Sequence, residues 1–425
     1  MNNLLKPKIY SGFLVFILLF GIVKGNTFLS PLLLSTTVSL VDYGIAEFAL
    51  SSGMILSGLF HLGVGASYAF YNIKQYSIGF NPTIVLHGIG ISILGLVVGI
   101  FAWLFPLYLE IKYTLSVQIA IVFASQLILS SMFKTDDKPS IAILLDGGMY
   151  VPVLVTSLMA LLSENFGIYI LPLLFLIYQF ILLLLFLSKW YQTDITNNKL
   201  RFKAVYTYGS SIFISSIGVF ILSVGGRQLI NFFFDTESVG IYSFYFRLAS
   251  MVVLVHQALN IFLFKQIYSA ALTQIDKYFS VFSLLIAFLS IMLWALIPLV
   301  LQEYISLLRD TGSSYAKLYL LLSLQMSFWV TMSLNENIIY RENLGNKFSL
   351  FLFSVLAFSL CILSLWKKLL NLNMFDLVFV NIMLYFFAIE GQLYLIKRKT
   401  GFNLKKTRMS LSVLVFISIL VILFY

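Results

Sequence analysis

The sequence predicts an all-α polytopic membrane protein with about twelve transmembrane helices. Of its 425 residues, 60% are hydrophobic and 10% are charged, and the mean hydropathy is +0.98. Soluble domains contain roughly 45–50% apolar and about 25% charged residues, so this composition excludes an ordinary soluble protein. One transmembrane helix uses about 20 apolar residues. The chain therefore accommodates on the order of twelve spans, joined by short loops, and leaves no room for a soluble catalytic domain.

Apolar stretches separated by polar breaks place six spans in each half of the chain. In the first half they lie near Ile9–Leu34, Gly44–Phe70, Thr83–Tyr108, Tyr113–Phe133, Ile141–Leu162 and Ile168–Ser188. In the second half they lie near Val205–Phe234, Val239–Phe264, Tyr278–Leu301, Leu318–Tyr340, Phe348–Trp366 and Phe375–Ile396. The last apolar stretch, Met409–Tyr425, has 17 residues, the minimum that crosses a bilayer. It is either a thirteenth span or a helix that lies along the interface.

These spans predict four segments of the chain. An N-terminal six-helix lobe covers residues 1–188, and a cytoplasmic linker covers 189–204. A C-terminal six-helix lobe covers 205–396, and a basic segment with the terminal apolar helix covers 397–425. The pattern G-I-x-x-F opens the second span at Gly44 and the eighth span at Gly240, an offset of 196 residues. Both spans run in the same direction, which predicts parallel repeats related by an axis along the membrane normal.

The distribution of Lys and Arg predicts the orientation of the chain. Of the 27 basic residues, 19 lie in loops on the side of the N-terminus and 5 lie on the opposite side. Positive residues prefer the cytoplasmic side of a membrane, so the N-terminus is predicted to be cytoplasmic. The net charge of +10 therefore reports topology, and nucleic acid is not expected as a partner.

The remaining three basic residues, Lys24, Arg227 and Arg247, lie inside predicted spans. A basic residue at the centre of a membrane helix costs roughly 2.5–3.5 kcal/mol on insertion scales, so such residues normally face a wet cavity or a partner. Counting residues from the span ends places all three in the outer half of the membrane. They predict a cationic patch, contributed by both halves, that receives pyrophosphate or acidic sugars. The alternative is snorkelling, in which the long side chains reach the interface.

Polar stripes on two spans supply candidate cavity-lining residues. Ser57 and His61 lie four residues apart on the second span, between Gly53 and Gly65, and so on one helix face. They either line a translocation path or belong to a small-residue helix contact. The tenth span carries Ser327, Thr331 and Asn335 at the same spacing. Cavity lining and hydrogen bonding between helices both remain open for this stripe.

Two acidic residues are candidates for ion coupling, and no enzyme motif is present. Glu47 lies one turn inside the second span and Asp146 lies early in the fifth. Either could carry a coupled proton or sodium ion, although an interface position needs no such role. The sequence contains no Walker loop, HExxH or GxSxG motif. Its three histidines lack metal-ligand spacing, and its one cysteine, Cys361, has no partner for a disulfide. We therefore expect a transporter without a metal or cofactor, and not an enzyme.

Several short motifs resemble one transporter family. They are Ser30-Pro31, Val41-Asp42-Tyr43-Gly44, Gly225-Gly226-Arg227 and Thr236-Glu237-Ser238-Val239-Gly240-Ile241-Tyr242. Together they resemble the polysaccharide-exporter branch of the multidrug/oligosaccharidyl-lipid/polysaccharide transporter superfamily, and most closely the Wzx-type O-antigen flippases. Relatives often have an acidic residue before the seventh-span arginine, where this chain has Gly226.

The resemblance implies a V-shaped, two-lobed bundle around a central cavity in the bacterial inner membrane. It implies flipping of an undecaprenyl-pyrophosphate-linked repeat unit from the cytoplasmic to the periplasmic leaflet for O-antigen and lipopolysaccharide synthesis. Membrane lipids, a polysaccharide polymerase and a chain-length regulator are the further partners expected. One alternative is a multidrug or small-metabolite antiporter of the same fold, which should bury acids where this chain buries bases. A membrane glycosyl polymerase is another, against which the short outward loops argue.

Overall fold

The computed structural model describes residues 7–74, 81–104, 110–163, 167–193, 201–303, 305–342, 344–369 and 373–424. Within these ranges the regular structure is helical throughout, which confirms the predicted all-α class. The chain forms two compact units, Met1–Ile217 and Gly218–Tyr425. Residues 194–200 of the predicted linker lie outside the described residues.

The first unit contains eight helices and most of a ninth. They are α1 Pro7–Thr37, α2 Leu40–His61, α3 Val64–Ala69, α4 Asn81–Leu104, α5 Ile111–Thr135, α6 Pro139–Gly148, α7 Val151–Leu162, α8 Leu171–Tyr191 and α9 Phe202–Val224. The second unit begins near the end of α9 and contains α10 Gly226–Phe233, α11 Thr236–Ser269, α12 Leu272–Leu301, α13 Ser306–Arg341, α14 Gly345–Leu369, α15 Met374–Thr400 and α16 Lys405–Phe424.

Ten of the described helices are long and apolar enough to cross a membrane, and the bent pair α6 and α7 makes an eleventh if it is one span. The chain is therefore a multi-pass membrane protein. Helices α9 and α13 match the predicted seventh and tenth spans in position, but they are not among the eleven. The terminal apolar stretch, for which the sequence allowed either a thirteenth span or an interfacial helix, lies in α16. Its segment Lys405–Leu423 is one of the ten helices that could cross a membrane.

Three predicted spans are interrupted in the structure. The second span ends at His61, because Leu62 and Gly63 adopt left-handed backbone angles, with φ of 47° and 69°. The fifth span bends by 49° between α6 and α7. The seventh span breaks at Gly225, between α9 and α10. Interrupted membrane helices expose backbone groups in mid-span, which is where transporters often place binding sites.

The two units begin an equivalent helix in the same way, at the predicted offset. Helix α2 begins at Leu40 and α11 begins at Thr236, which are 196 residues apart. Before α2, the Ser39 hydroxyl accepts a hydrogen bond from the Asp42 backbone N–H at 3.1 Å. Before α11, the Asp235 carboxylate accepts one from the Ser238 backbone N–H at 2.7 Å. Both are N-cap bonds, so the repeat extends from the G-I-x-x-F pattern to local structure.

Candidate functional site

The break between α6 and α7 is the best-defined polar site in the first unit. Two glycines precede it and allow neighbouring helices to come close. A Cβ at Gly147 would lie 2.4 Å from Val23 Cγ1 of α1, and one at Gly148 would lie 2.0 Å from the Tyr178 hydroxyl oxygen of α8. A real Cβ cannot approach another heavy atom this closely. Any residue other than glycine at either position would therefore require a shift of α1 or α8.

Gln126, fully buried on α5, satisfies the backbone at this break. Its Oε1 accepts hydrogen bonds from the Met149 backbone N–H and from the Tyr178 hydroxyl, both at 3.0 Å. Its Nε2 donates to the Asp146 carbonyl at 3.3 Å. An irregular backbone is tolerated in a membrane only where protein or water satisfies its polar groups. Gln126 therefore stabilises the irregular backbone between α6 and α7.

Asp146, at the end of α6, gathers positive charge around the break. Its Oδ2 lies 2.8 Å from Lys134 Nζ, and its Oδ1 accepts a 2.5 Å hydrogen bond from the Ser130 hydroxyl. Lys24 of α1 interacts electrostatically with both Asp146 and Lys134, and its Nζ lies 5.8 Å from the centre of the Phe20 ring. We call Lys24, Ser130, Lys134 and Asp146 the Lys24–Asp146 cluster. Its two lysines share one carboxylate, so the cluster carries an excess positive charge.

The structure places Lys24 relative to the neighbouring helix α6. Val23 contacts Gly147, the ninth residue of α6, so Lys24 lies about 12 Å along the helix axis from the level where α6 begins. Lys134 is on the same side, next to the last residue of α5. The outer-half position predicted for Lys24 was counted from the start of its own span, and it stays a prediction.

Arg227 and Arg247 lie in the second unit. Arg227 is only 4% exposed and follows directly on the break at Gly225. Its Nε donates to the Ser243 hydroxyl at 3.0 Å, and its guanidinium carbon lies 4.6 Å from the centre of the Phe246 ring. Arg227 thus joins α10 to α11. Arg247 is half-buried and lies one helical turn beyond Ser243, the residue of α11 that Arg227 contacts.

The second-span candidates lie within packed helices. Ser57 is fully buried and donates to the Met54 carbonyl of its own helix at 2.7 Å. His61 ends α2, and its Nδ1 accepts a hydrogen bond from the Gly63 backbone N–H at 3.1 Å. A Cβ at Gly53 would lie 2.5 Å from Ile119 Cγ2 of α5. This geometry favours the helix-contact interpretation of the stripe.

The tenth-span stripe contacts α12. The Thr331 hydroxyl donates to the Ser283 hydroxyl at 2.9 Å, and the hydroxyls of Ser327 and Ser290 lie 3.5 Å apart. Thr331 and Ser327 are at most 1% exposed, which favours hydrogen bonding between helices for these two. Asn335 is fully buried, and neither of its amide atoms has a hydrogen-bond partner among the described residues.

The two acidic candidates have different surroundings. Asp146 is held by Lys134 and Ser130, as described above. Glu47 is 1% exposed and lies inside α2, where the Ser51 hydroxyl donates to the Glu47 backbone carbonyl at 2.8 Å. The sequence prediction missed Gln126 and Tyr178, because isolated neutral polar residues are common in membrane helices. The Gly147-Gly148 pair inside an apolar stretch was the available signal for the break.

Comparison with known proteins concerns the fold. No model of a protein family matches the chain, and no curated protein matches it in sequence. Among solved structures, the lipid II flippase MurJ in an inward closed conformation superposes with a TM-score of 0.57. The match covers 95% of this chain and 92% of that one, at 14% identity. The chain has the fold of this flippase.

Two multidrug transporters are also similar, each with a TM-score of 0.49 and 14% identity. One is an inward-facing MATE family transporter of the MOP superfamily, matched over 93% of this chain and 94% of that chain. The other is the MATE multidrug transporter DinF-BH, solved as a complex and matched over 92% of each chain. All three matched proteins are named as flippases or transporters.

Proposed function

We propose that this protein flips an undecaprenyl-pyrophosphate-linked oligosaccharide repeat unit from the cytoplasmic to the periplasmic leaflet, by alternating access, for O-antigen synthesis. The observation that carries the proposal is the fold shared with a protein that flips lipid II. The buried Arg227 and the half-buried Lys24 and Arg247 support it, because the group that crosses the membrane with such a substrate carries negative charge. Lys24, Arg227 and Arg247 are the residues we assign to substrate binding.

The Lys24–Asp146 cluster supplies the chemistry for a phosphate group in the first unit. The Asp146 carboxylate lies 2.8 Å from the Lys134 ammonium and attracts Lys24. A pyrophosphate that approaches can accept hydrogen bonds from both lysines, since each ammonium has three donors. The excess positive charge makes an anion the better ligand. A cationic drug would meet repulsion, which argues against the multidrug antiporter.

We place the protein in the bacterial inner membrane with its N-terminus in the cytoplasm, as the basic loops predict. Transport is coupled in this proposal to a proton or sodium gradient. A polysaccharide polymerase and a chain-length regulator are the partners that would receive the flipped substrate. Glycosidic bond formation is not assigned to this chain.

The test is flipping by the purified protein in proteoliposomes, with a fluorescent undecaprenyl-pyrophosphate-linked oligosaccharide and a membrane-impermeant quencher. Lys24→Ala removes one charged hydrogen-bond donor, worth about 1.5–3 kcal/mol, so the apparent affinity should fall about 10- to 150-fold. Lys138→Ala is the matched control, because Lys138 is an exposed lysine just before α6. Equal flipping by the wild type and Lys24→Ala would exclude the assigned role of Lys24. Efflux of a cationic dye in place of lipid flipping would support the antiporter.

A further inference from the structure

The second unit contains a buried polar network that the proposed function does not use. Its members are Tyr242 on α11, Gln325 and Glu336 on α13, and Tyr385 on α15. Tyr242, Gln325 and Tyr385 are at most 2% exposed. We call these four residues the Glu336 network. Polar groups are costly to bury in a membrane protein unless they interact with one another, and these four come from three different helices.

Electrostatic interactions connect the network from one end to the other. Tyr242 and Tyr385 both interact with the amide of Gln325, whose two amide atoms make no hydrogen bond of normal geometry to the described residues. Tyr385 also interacts electrostatically with Tyr242 and with Glu336, and its hydroxyl donates to the Leu222 carbonyl at 3.1 Å. At the far end, Tyr242 interacts electrostatically with Arg227. The network therefore leads from a partly buried acid, Glu336, to the buried base Arg227.

The network covers a substantial part of the membrane thickness. Gln325 and Glu336 are eleven residues apart on α13, or about 16 Å along the helix axis. The hydrocarbon core is about 30 Å thick. Glu336 lies five residues before Arg341, the last residue of α13, which is on the predicted cytoplasmic side. A proton that reaches Glu336 from that side would therefore need to cross only a short distance.

Glu336 lacks the partner that a buried carboxylate needs. Its Oε1 is buried and has no hydrogen-bond partner among the described residues, and it takes part in none of the ion pairs in the described part of the chain. Arg341 is the next cation along α13, and its Nε lies 2.9 Å from Glu342. Burial of a carboxylate oxygen without a partner disfavours the charged form of the group, and binding of a proton neutralises it.

Neighbouring helices present few other titratable groups to Glu336. From α15 the group is Tyr385. From α11 it is His256, whose Nε2 lies 3.1 Å from the hydroxyl of Ser333, one turn before Glu336. On α12, the buried acid Asp276 is occupied by the start of α16, where it accepts hydrogen bonds from the Lys406 and Thr407 backbone.

Unpartnered amides lie close to Glu336. Asn335 has no partner among the described residues for either amide atom, and Gln392 of α15 has none for its Oε1. Gln392 Nε2 donates to the Met332 carbonyl, one turn before Glu336, at 3.2 Å. These atoms can bond to water molecules, which would carry a proton between Glu336 and the aqueous phase.

We propose that Glu336 binds and releases a proton, and that the Glu336 network transmits this change of charge to Arg227. The inference rests on the proposed function, because it identifies the proton as the ion that drives transport and Glu336 as the residue that carries this proton. It favours Glu336 over Asp146, because both carboxylate oxygens of Asp146 already have partners. A sodium ion is the competing ligand.

Infrared difference spectroscopy tests proton binding without any substrate. The full-length protein in lipid nanodiscs is titrated with acid, and the carbonyl stretch of a protonated carboxylic acid is followed. We expect one pH-dependent component of this band to be lost in Glu336→Gln, while the components from the other acids, among the 17 Asp and Glu residues of the chain, remain. Glu390→Gln is the matched control, because Glu390 is a carboxylate of the same unit that is paired with Arg408 at 2.7 Å. This control should retain the band.

Tyr385→Phe provides a second test that leaves the acid in place. Removal of the hydroxyl should shift the frequency of the band without abolishing it, and this result stands even where Glu336→Gln fails to fold. Persistence of the full band in a folded Glu336→Gln protein would overturn the proposal. Loss of the band on addition of sodium at constant pH would also overturn it, in favour of a sodium site. The band requires no flipping, so its absence and a failure of the flipping assay are separate results.

Discussion

Replacement of Gln126 by leucine should weaken the break between α6 and α7 by a calculable amount. Gln126 makes three hydrogen bonds there, with the Met149 N–H, the Tyr178 hydroxyl and the Asp146 carbonyl. Side-chain hydrogen bonds in membrane proteins contribute about 0.6 kcal/mol on average and at most about 1.7 kcal/mol. Three of them give about 2–5 kcal/mol. Leucine matches glutamine closely in size, so a cavity adds little to this figure.

Reversible unfolding of the purified protein in mixed micelles measures the effect. Tyr178→Phe removes one of the three bonds and should cost about 0.6–1.7 kcal/mol. In the Gln126→Leu background the same Tyr178 substitution should cost almost nothing, because its acceptor is already absent. Gln126→Glu keeps the acceptor oxygens and should lie between the wild type and Gln126→Leu. The reasoning is refuted if Gln126→Leu unfolds within about 0.5 kcal/mol of the wild type, or if the two substitutions are additive.

Two further predictions concern other joints between helices. Asp276→Ala removes the acceptor for the first backbone N–H groups of α16. The free energy of unfolding should therefore fall by about 0.5–2 kcal/mol, and proteolysis between α15 and α16 should become faster. Unchanged proteolysis would contradict the role of Asp276 in anchoring α16. In Gly63→Ala, a residue with a left-handed φ of 69° gains a Cβ that would lie 2.1 Å from the Gly209 carbonyl oxygen. This variant should fail to fold normally, as judged by size-exclusion chromatography. Gly401→Ala, with a φ of 74° and open space around its Cβ, should cost only about 1–2 kcal/mol, and equal yields of the two variants would refute the steric argument.

Composition and span length predicted the fold because they measure the transfer of apolar side chains into lipid, which dominates membrane insertion. The same quantities carry little information about backbone geometry inside a span. Leu62 illustrates the limit, since its left-handed φ of 47° is rare for a residue with a branched side chain. The break it makes depends on Gly63, against whose backbone Gly209 packs. Contacts between residues so distant in sequence cannot be read from a hydropathy pattern.

The same distinction applies to the candidate sites. Lys24 and Asp146 could be found because a charge in an apolar stretch is conspicuous, but their proximity depends on the contact of α1 with α6. Gln126 is neutral and lies 20 residues from Asp146 in sequence, so neither its charge nor its spacing identified it. Glu336 lies near the end of a predicted span, where an acid needs no special role. Neighbouring helices bury its Oε1, and single-sequence reasoning does not supply their positions.

The predicted repeat aligns an acid of the first unit with a hydroxyl of the second. The offset of 196 residues maps Glu47 of α2 onto Ser243 of α11. In the second unit the hydroxyl of Ser243 accepts the hydrogen bond from Arg227, where an acid at that position would neutralise the arginine. A hydroxyl orients the guanidinium without cancelling its charge. Ser243 therefore leaves the charge of Arg227 in place, which the proposed flipping of an anionic lipid would use, whereas a carrier of cations would gain from an acid at this position.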